Sequence, residues 1–266
     1  MKQEILRNFT TECPWRDTLY WYTTTDSTNI RAKDLAKQGA PHGTVVVAGG
    51  QSGGRGRMGR SFSSPEGMGV YLSVILRPGC TPDKLMHLTC AAAVAACKAV
   101  ETVSGIHPCI KWTNDLVYVK KKLGGILTEL SLDSTNGLVD YAIVGIGINC
   151  MQKKEDFPTE LEDMATSVCQ IQNAPCSPAH LAAALIESLY EMNSILLSGK
   201  KELLDIYRRS CITLGQENVL LRGETVQHGT ALDLDENGGL IVRFADGTVK
   251  TVNSGEVSVR GMYGYF

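Results

Sequence analysis

The stretch from 49 to 62, which reads GGQSGGRGRMGRSF, restricts most strongly what this chain can fold into. It contains six glycines and three arginines, and no carboxylate follows it until Glu66. Glycine lets the backbone adopt positive φ and approach a ligand closely, and the planar guanidinium of arginine matches carboxylate and phosphate oxygens. The composition predicts a loop that closes over an anionic ligand. A flexible surface loop with solvated arginines is the alternative.

The same stretch contains a GxGxxG spacing at Gly54, Gly56 and Gly59, which resembles a dinucleotide-binding fingerprint. That fingerprint requires a strand before it and a helix that opens inside it. Residues 44–48 have the composition of a strand, but RSFSSP at 60–65 does not favour a helix. The chain also lacks GxxxxGK[ST]. The sequence therefore disfavours both a Rossmann fold and a P-loop.

Overall composition bounds the class of protein. A length of 266 residues allows one large domain, or one large and one small domain. A net charge of −2 excludes a global basic field for nucleic acid or membrane. No apolar run is expected to approach the roughly 18 residues that span a bilayer, and the N-terminus carries Glu4 without the apolar core of a signal peptide.

The cysteines and histidines argue against disulfides and zinc. The nine cysteines are an odd number, and none has CxxC spacing. Cys90, Cys97 and Cys109 lie in or beside apolar stretches, as small hydrophobic residues do in a reducing cytoplasm. The five histidines are scattered, without HExxH. We therefore predict a cytoplasmic protein with no disulfide framework and no zinc site.

Hydrophobic periodicity and turn residues predict a chain of alternating strands and helices up to about residue 212. The predicted strands are 19–23, 44–48, 70–77, 110–112, 116–119, 123–132 and 140–149, and the predicted helices are 30–38, 82–103, 177–197 and 199–211. Residues 26–29, DSTN, are cap-forming, and Gly39 is a helix stop. Residues 120–122 are expected at a hairpin tip, and 155–167 form a polar connection.

After Leu214 the pattern changes to short strands separated by turn residues. These strands are predicted at 219–221, 225–234, 240–244, 248–252 and 256–259. Such spacing indicates a small all-β barrel. About 50 residues make a thin core, so the barrel should dock on the larger unit. We predict two domains, 1–212 and 213–266.

Small residues mark two strands where a ligand could approach. Gly124 and Gly125 open the strand after the lysine run, and residues 145–149 read GIGIN. Tight helix–sheet packing explains them equally well. Lys122 adjoins the diglycine, so it is the lysine of its run expected to point inward. Ser27 and Thr28 cap a helix, contact a ligand, or do both.

Taken together, DSTN, GGQSGGRGRMGR, KWTND, KKLGGIL and GIGIN resemble the biotin–protein ligase family, from about residue 20 to the end of the chain. The family's spacing between the aspartate of KWPND and the lysine of KLxGIL is kept by Asp115 and Lys122. The resemblance implies an α+β fold: a central mixed β-sheet flanked by helices, of the class II synthetase-like biotin–lipoate ligase type. It also implies that the C-terminal unit is an SH3-like barrel.

In that family, the biotin carboxylate attacks the α-phosphate of ATP to give biotinyl-adenylate. A lysine of a biotin carboxyl carrier domain then attacks this mixed anhydride. The resemblance thus implies biotin and ATP as substrates, Mg²⁺ as cofactor, and a carrier domain of a carboxylase or decarboxylase as partner. No enzyme nucleophile is needed, because positioning and charge stabilisation are the expected forms of catalysis.

The resemblance also assigns roles to individual residues. Biotin would be bound by Ser27, Thr28, Asn29, Gln51, Arg55, Gly56, Arg57, Lys122 and Gly125. The nucleotide would be bound by Arg57, Arg60, Lys111, Asp115, Asn149 and Arg260, with Asn149 at the adenine. Catalysis would depend on Lys122, Arg57 and Asp115, and Asp115 would also help to hold Mg²⁺, which prefers carboxylate ligands.

Two residues depart from the family pattern. Thr113 stands where proline is usual, which is expected to loosen the turn that holds Asn114 and Asp115. Phe62 stands where tryptophan is usual, which is expected to weaken stacking beside biotin. Neither departure removes a charged group that the chemistry requires.

Some members of the family carry an N-terminal helix-turn-helix domain. Here about 18 residues precede the first predicted strand, too few for a three-helix DNA reader, so no DNA binding is predicted. No membrane partner is predicted either. Members associate through an edge of the central sheet, so a homodimer is one assembly that the resemblance implies.

Three alternatives stay open. A lipoate–protein ligase shares the fold and the adenylation chemistry, but the GRGRMGR loop and the barrel favour biotin. A dehydrogenase built on GxGxxG is disfavoured by the missing helix. A non-catalytic biotin sensor is disfavoured because Lys122 and Asp115 are both present.

Overall fold

The computed structural model describes residues 1–222, 225–253 and 258–261. Its larger part is built on a seven-stranded sheet with strand order β1-β2-β3-β7-β6-β5-β4. The strands are β1 Leu19–Thr25, β2 Thr44–Gln51, β3 Gly69–Leu76, β4 Cys109–Lys111, β5 Asp115–Tyr118, β6 Lys121–Leu132 and β7 Val139–Asn149. The β1–β2 pair is parallel and the other neighbours are antiparallel, so the sheet is mixed, as predicted.

Six α-helices accompany the sheet. They are α1 Lys2–Arg7, α2 Thr28–Lys37, α3 Leu88–Ser104, α4 Val168–Gln172, α5 Pro178–Ile195 and α6 Lys200–Ser210. The four long helices are those that the periodicity predicts. The short helices α1 and α4 were not predicted, because five or six residues are too few to show a helical period. The helix predicted from residue 82 begins as a 3₁₀ turn, Pro82–Leu85, and becomes α-helical only at Leu88.

Alternation along the central strands gives the sheet two different faces. In β7, Ala142 and Val144 belong to the main core, which includes α3, α5 and α6. Tyr141 and Ile143 point to the opposite face, where they pack with α2. Helix α2 covers only part of this second face, and the glycine-rich end of β7 extends beyond it.

Two local predictions needed correction. Helix α2 begins at Thr28, with Ser27 at the N-cap position but without a side-chain capping bond, so Thr28 and Asn29 lie in its first turn. The hairpin tip is Val119–Lys120, both with positive φ, and Lys121 already belongs to β6. The tip therefore comes one residue earlier than predicted, which leaves Lys122 on a strand.

The C-terminal part is a five-stranded antiparallel sheet of order β11-β10-β9-β8-β12. Its strands are β8 Glu217–Arg222, β9 Thr225–Leu234, β10 Leu240–Phe244, β11 Val249–Val252 and β12 Ser258–Gly261. Together with the mixed sheet, this confirms the predicted fold class. The sheet docks on the larger part, since Trp112 Nε1 donates to Gly238 O at 2.9 Å and Arg208 pairs with Asp233 at 2.9 Å. The domain boundary at 212/213 stays a prediction.

Among the described residues, Pro82–Ser104 is long and apolar enough, by length and composition alone, to cross a membrane. The expectation that no apolar run approaches that length is therefore wrong for this segment. In the protein, 61% of the most apolar 18 residues of this segment are buried. The α3 helix packs against α5 and α6 in the main core. All nine cysteines are free thiols.

Candidate active site

The register of β3, β6 and β7 creates a cavity on the second face of the sheet. Gly147 pairs with Tyr71 on one side and Gly125 on the other, and Gly145 pairs with Ser73 and Leu127. Because these glycines carry no side chain, Asn29 can lie directly against the sheet at Gly145 and Phe62 at Gly147. The resulting cavity has a volume of about 490 Å³, which is in the range of small-molecule sites.

Twelve of the fourteen predicted site residues line this one cavity. They are Ser27, Thr28, Asn29, Gln51, Arg55, Gly56, Arg57, Arg60, Lys111, Asp115, Lys122 and Gly125. They come from α2, β2, the glycine-rich loop and strands β4 to β6, so only the fold brings them together. Their individual roles stay predictions.

One predicted residue that the structure describes, Asn149, does not line the cavity. Asn149 is 4% exposed, and its amide donates to Thr166 O at 2.9 Å and accepts from Gln152 Nε2 at 3.3 Å. Its adenine-binding role has no support from this geometry. The side chain of Arg260 lies outside the described residues.

One end of the cavity, here called the amide end, consists of Ser27, Thr28, Asn29 and Gln51. Gln51 Oε1 accepts from the backbone N–H of Thr28 at 2.8 Å, and Gln51 Nε2 donates to Ser64 Oγ at 2.9 Å. Thr28 and Asn29, which lie in the first turn of α2, are almost fully buried. This end is neutral and rich in hydrogen-bonding groups, so it suits a polar uncharged ligand group.

The other end, here called the cationic end, consists of Arg57, Arg60, Lys111 and Lys122. Lys122 Nζ donates to Asp115 Oδ1 at 2.7 Å, which holds the ammonium group beside Gly125. Burial lowers the pKa of Arg57, and the nearby charge of Asp115 opposes that shift. Four cations against one lining carboxylate make this end suitable for phosphate or carboxylate.

The glycine-rich loop folds back on itself above the cavity. Phe62 N donates to Gly54 O at 2.9 Å, and Gly56 N donates to Arg60 O at 2.7 Å. A Cβ at Gly54 would lie 2.3 Å from Phe62 O, so a larger residue would separate the two arms of the loop. A 3₁₀ turn, Arg57–Gly59, closes the tip, and no α-helix begins there, which excludes the dinucleotide fingerprint.

Two arginines connect the loop to the sheet. Arg57 Nη1 donates to Asn114 Oδ1 at 2.9 Å. Arg55 Nη1 lies 3.5 Å from Glu129 Oε1, and the Arg55 side chain is 45% exposed. These two contacts join the loop to the sheet, in addition to the backbone bond from Gly53 N to Asp26 O at 2.9 Å.

One of the two departures from the family pattern, Thr113, is accommodated differently from expectation, whereas the weaker stacking expected at Phe62 stays a prediction. Thr113 is buried, and its carbonyl accepts from Tyr207 Oη at 3.0 Å. Its neighbour Asn114 donates to Ile126 O at 3.1 Å, so the turn is anchored on both sides. The expectation of a looser turn is wrong in this respect. Phe62 lies on the Gly147 backbone and lines the cavity.

Several cavity residues were not predicted as site residues. They are Met58, Ser61, Phe62, Trp112, Asn114, Ile126, Leu127, Gly145, Ile146, Gly147 and Met164. The alternation of side chains along β6 would have placed Leu127 on the same face as Gly125. Met164 lies on the connection to α4 and reaches the cavity because its carbonyl accepts from Lys122 N at 2.8 Å.

Within the described residues, no group of three histidine, cysteine, aspartate or glutamate side chains is arranged to hold a metal ion. Asp115 is the one carboxylate that lines the cavity. A magnesium ion held here would need its remaining ligands from substrate phosphates and water, which is its usual mode of binding.

Comparison with known proteins agrees with the resemblance to biotin–protein ligases that the sequence motifs indicate. The model of the biotin/lipoate A/B protein ligase family matches residues 21–149, and the model of the biotin protein ligase C terminal domain matches residues 213–260. The chain is 35% identical over 239 residues to the bifunctional ligase/repressor BirA of Bacillus spizizenii, covering 88% of this chain and 71% of that protein.

Two further relatives are informative. The biotin–[acetyl-CoA-carboxylase] ligase of Mycobacterium tuberculosis is 29% identical over 88% of this chain and 85% of its own length. The solved structure of biotin protein ligase from Aquifex aeolicus in complex with biotin and ATP is 32% identical, with a TM-score of 0.78, covering 91% of this chain and 98% of that one.

Proposed function

This chain belongs to the biotin/lipoate A/B protein ligase family, and from that premise we propose a two-step reaction. Biotin is activated with ATP to biotinyl-5′-adenylate, and the biotinyl group is then transferred to a lysine of a biotin carboxyl carrier domain. The chain is an enzyme of the biotin–protein ligase class. The adenylate intermediate and the carrier domain are our proposal, beyond the ligase class that the comparisons support.

The observation that carries the proposal is the polarity of this cavity, from its amide end to its cationic end. Its amide end presents neutral hydrogen-bonding side chains, which suit the ureido ring of biotin. Its cationic end suits the biotin carboxylate and the phosphates of ATP. One cavity of about 490 Å³ can thus hold both reacting groups next to each other.

In the first step, a carboxylate oxygen of biotin attacks the α-phosphorus of ATP, and the bond to pyrophosphate breaks. Two anions must approach, and Lys122 and Arg57 are the cations that would neutralise them. Asp115 holds the Lys122 ammonium group at 2.7 Å, which orients it before substrate arrives. Fixed charges of this kind stabilise the transition state without reorganisation.

Asp115 is also the residue that would hold Mg²⁺. When bound, the ion supplies positive charge to the phosphates of the nucleotide. A single carboxylate suffices because the phosphates contribute further oxygen ligands.

In the second step, the carrier lysine amine attacks the acyl carbon, the bond to AMP breaks, and the amine loses its proton. Before that, water and other amines must be excluded from the mixed anhydride. The glycine-rich loop is suited to this, because Arg55 and Arg57 extend from it across the cavity mouth. We therefore assign the loop the role of a lid over the adenylate.

We place the reaction in the cytoplasm, because nine free thiols suit a reducing compartment. An acyl-CoA carboxylase or decarboxylase subunit is the carrier that we propose, in line with the name of the Mycobacterium tuberculosis relative. The expectations of no DNA binding, no membrane partner and a homodimer stay predictions.

The test is a mass spectrum of an isolated biotin-carrier domain after incubation with the protein, Mg-ATP and biotin. A parallel reaction contains a lipoyl carrier and lipoate. We expect a gain of one biotinyl group and no lipoyl group. A lipoyl gain alone would move the protein to lipoate ligation, and binding of biotin without any gain would make it a biotin sensor.

A further inference from the structure

Glu129 lies behind the amide end and is not among the cavity-lining residues. It sits on β6, on the same face as Gly125 and Leu127, where it pairs with Ile143 of β7. Its side chain is 20% exposed. It nevertheless contacts a predicted biotin-binding residue directly, because its Oε2 accepts from Asn29 Nδ2 at 2.8 Å.

This contact determines which way the Asn29 amide points. On one side, Asn29 Nδ2 faces Glu129 Oε2 and, at 3.3 Å, the carbonyl of Leu127. An ionised carboxylate and a carbonyl can only accept hydrogen bonds. The NH₂ group must therefore face them, and Asn29 Oδ1 must face Ser73, whose Oγ lies 2.6 Å away.

The orientation of the Asn29 amide in turn fixes the direction in which the Ser73 hydroxyl donates its proton. Asn29 Oδ1 cannot donate, so the single hydroxyl proton of Ser73 points to it. Thr28 Oγ1 lies 2.9 Å from Ser73 Oγ and 3.1 Å from Gln51 Oε1. Ser73 Oγ is placed to donate to Thr28 Oγ1 as well, but its one proton serves the closer Asn29 Oδ1. Gln51 Oε1 can only accept, so it takes the proton of Thr28. The Thr28 proton therefore points into the protein, and its lone pairs are left for a ligand.

Gln51 is oriented independently. Its Oε1 accepts from the backbone N–H of Thr28 at 2.8 Å, and a backbone N–H can only donate. The series of hydrogen bonds from Glu129 through Asn29 and Ser73 to Thr28 therefore has its donors and acceptors fixed at both ends, by Glu129 at one end and by Gln51 at the other. All three of its uncharged members are at most 4% exposed, so water does not offer alternative partners.

Glu129 is suited to remain charged in this position. Burial raises the pKa of Glu129, but hydrogen bonds from Lys33 and Asn29 and the charges of Lys33 and Arg55 lower it below its ordinary value. Lys33 Nζ lies 2.6 Å from Oε1. A carboxylate that stays ionised at neutral pH can only accept hydrogen bonds. It therefore fixes which group donates at each step of the series from Asn29 to Thr28.

We infer that Glu129 is a positioning residue for biotin selectivity: it directs the Asn29–Ser73–Thr28 hydrogen bonds so that the amide end presents acceptors to the ureido N–H groups. This inference rests on the proposed function, in which biotin occupies the amide end. Without Glu129, only the longer 3.3 Å bond to the Leu127 carbonyl holds the Asn29 NH₂ group. The amide then turns over more readily, Ser73 can donate to Thr28 instead, and Thr28 loses acceptor capacity towards the ligand.

The test compares two kinds of ligand by titration calorimetry without ATP. One is biotin, and the other is the pair of cyclic carbamate analogues in which one ureido N–H is replaced by oxygen. For the full-length protein we expect at least one analogue to bind roughly tenfold or more weakly than biotin, the effect of losing one hydrogen bond and leaving an acceptor unpaired. In Glu129→Ala we expect this ratio to fall to about threefold or less.

Two control variants separate orientation from general damage. Lys33→Met removes a partner of Glu129 but keeps the Glu129–Asn29 bond, so it should keep the full ratio. Glu129→Gln can still present an acceptor to Asn29, so its ratio should lie nearer to that of the unaltered protein than to that of Glu129→Ala. The calorimetric stoichiometry reports the folded fraction of each variant.

A purely structural role for Glu129 would weaken all ligands by the same factor and leave the ratio unchanged, which would overturn the inference. A ratio that falls equally in Lys33→Met would also overturn it, because charge and not Asn29 orientation would then be responsible. If the unaltered protein bound no biotin, the proposed function itself would fail together with the inference. Normal biotin binding with a constant ratio would overturn the inference alone.

Discussion

The two ends of the cavity are built in different ways. At the amide end, Thr28, Asn29 and Ser73 are buried and joined by hydrogen bonds that run to Glu129. At the cationic end, Lys111 and Lys122 lie on strands, whereas Arg57 and Arg60 belong to the glycine-rich loop. Arg55 of the same loop is 45% exposed and lies 3.5 Å from Glu129. We expect the amide end and Lys122 to be in place before substrate arrives, and the loop arginines of the cationic end to be fixed by closure over the adenylate.

This difference matches what each substrate group needs. Buried polar groups are costly unless their partners are fixed, so a site for a neutral ring is best built in advance. A site for ATP must admit a large anion, release pyrophosphate and still exclude water from the adenylate. Under the proposed function, recognition of biotin and retention of its adenylate would therefore depend on separate parts of the site.

The largest effect is expected from removing the central ammonium group. Lys122→Ala should lower the rate of biotin-dependent pyrophosphate release about 10²–10³-fold, the typical loss for one charge-stabilising donor. Fluorescence or calorimetric titration should show that biotin still fills the amide end. Lys121→Ala, which changes the neighbouring lysine outside the cavity, is the matched control and should retain the rate. Equal losses in both variants would remove Lys122 from the mechanism.

The next effect tests the lid. Arg57→Gly removes the contact with Asn114 and should lower adenylate formation by about 10². It should also release the adenylate, so that lysines of a bystander protein become biotinylated. The readout is the ratio of bystander to carrier labelling by mass spectrometry. Ser52→Gly adds a glycine to the same loop without removing a guanidinium and should keep the ratio low; unchanged selectivity in Arg57→Gly would refute the lid.

The amide end can be broken by a single methyl group. A Cβ at Gly145 would lie 1.9 Å from Asn29 Oδ1, so Gly145→Ala must displace the amide. Overpacking of this kind costs about 1–3 kcal/mol; if the displaced Asn29 amide carries that cost into binding, biotin affinity should fall roughly 5- to 150-fold. At Gly53, in the loop, the nearest atom would be 3.4 Å away. Gly53→Ala should therefore leave the affinity within about threefold, and the pair contrasts the two ends directly.

The smallest effect concerns pH. The pKa of Glu129 is lower in the folded protein than in the unfolded chain, because the bonds from Lys33 and Asn29 outweigh burial. Its stabilisation is therefore fully present above the unfolded value of about 4.3 and is lost as pH falls through the folded value. The unfolding free energy of the unaltered protein should exceed that of Glu129→Gln by roughly 1.5 kcal/mol at pH 7. Denaturant titrations should show this difference constant down to about pH 5 and shrinking below the unfolded value; growth of the difference at low pH would contradict the assignment.

Local pattern was sufficient to predict most of the sheet and the composition of the site. The alternation in 140–149 predicted β7, and its glycines indicated close approach of another group, which proved to be Asn29 at Gly145 and Phe62 at Gly147. Lys122 was singled out from its run by its neighbouring diglycine, and its side chain reaches the cavity.

Contacts between distant parts of the chain could not be predicted in this way. Glu129 meets Asn29, one hundred positions earlier, because α2 packs on the face of the sheet to which Glu129 points. Asn149 ends the same strand as Gly145 and Gly147, yet the connection to α4 brings Thr166 and Gln152 against its amide. The path of that connection cannot be predicted from local sequence periodicity.

The most direct test of the account is amide hydrogen exchange with and without biotinyl-adenylate. The segment 53–62 should exchange rapidly in the free protein and become strongly protected in the complex, because closure orders it. The N-terminal turns of α2 and the end of β2 should be protected already and change little. Strong protection of 53–62 in the free protein, or equal gains at both ends of the cavity, would contradict the division into a prebuilt end and a closing end.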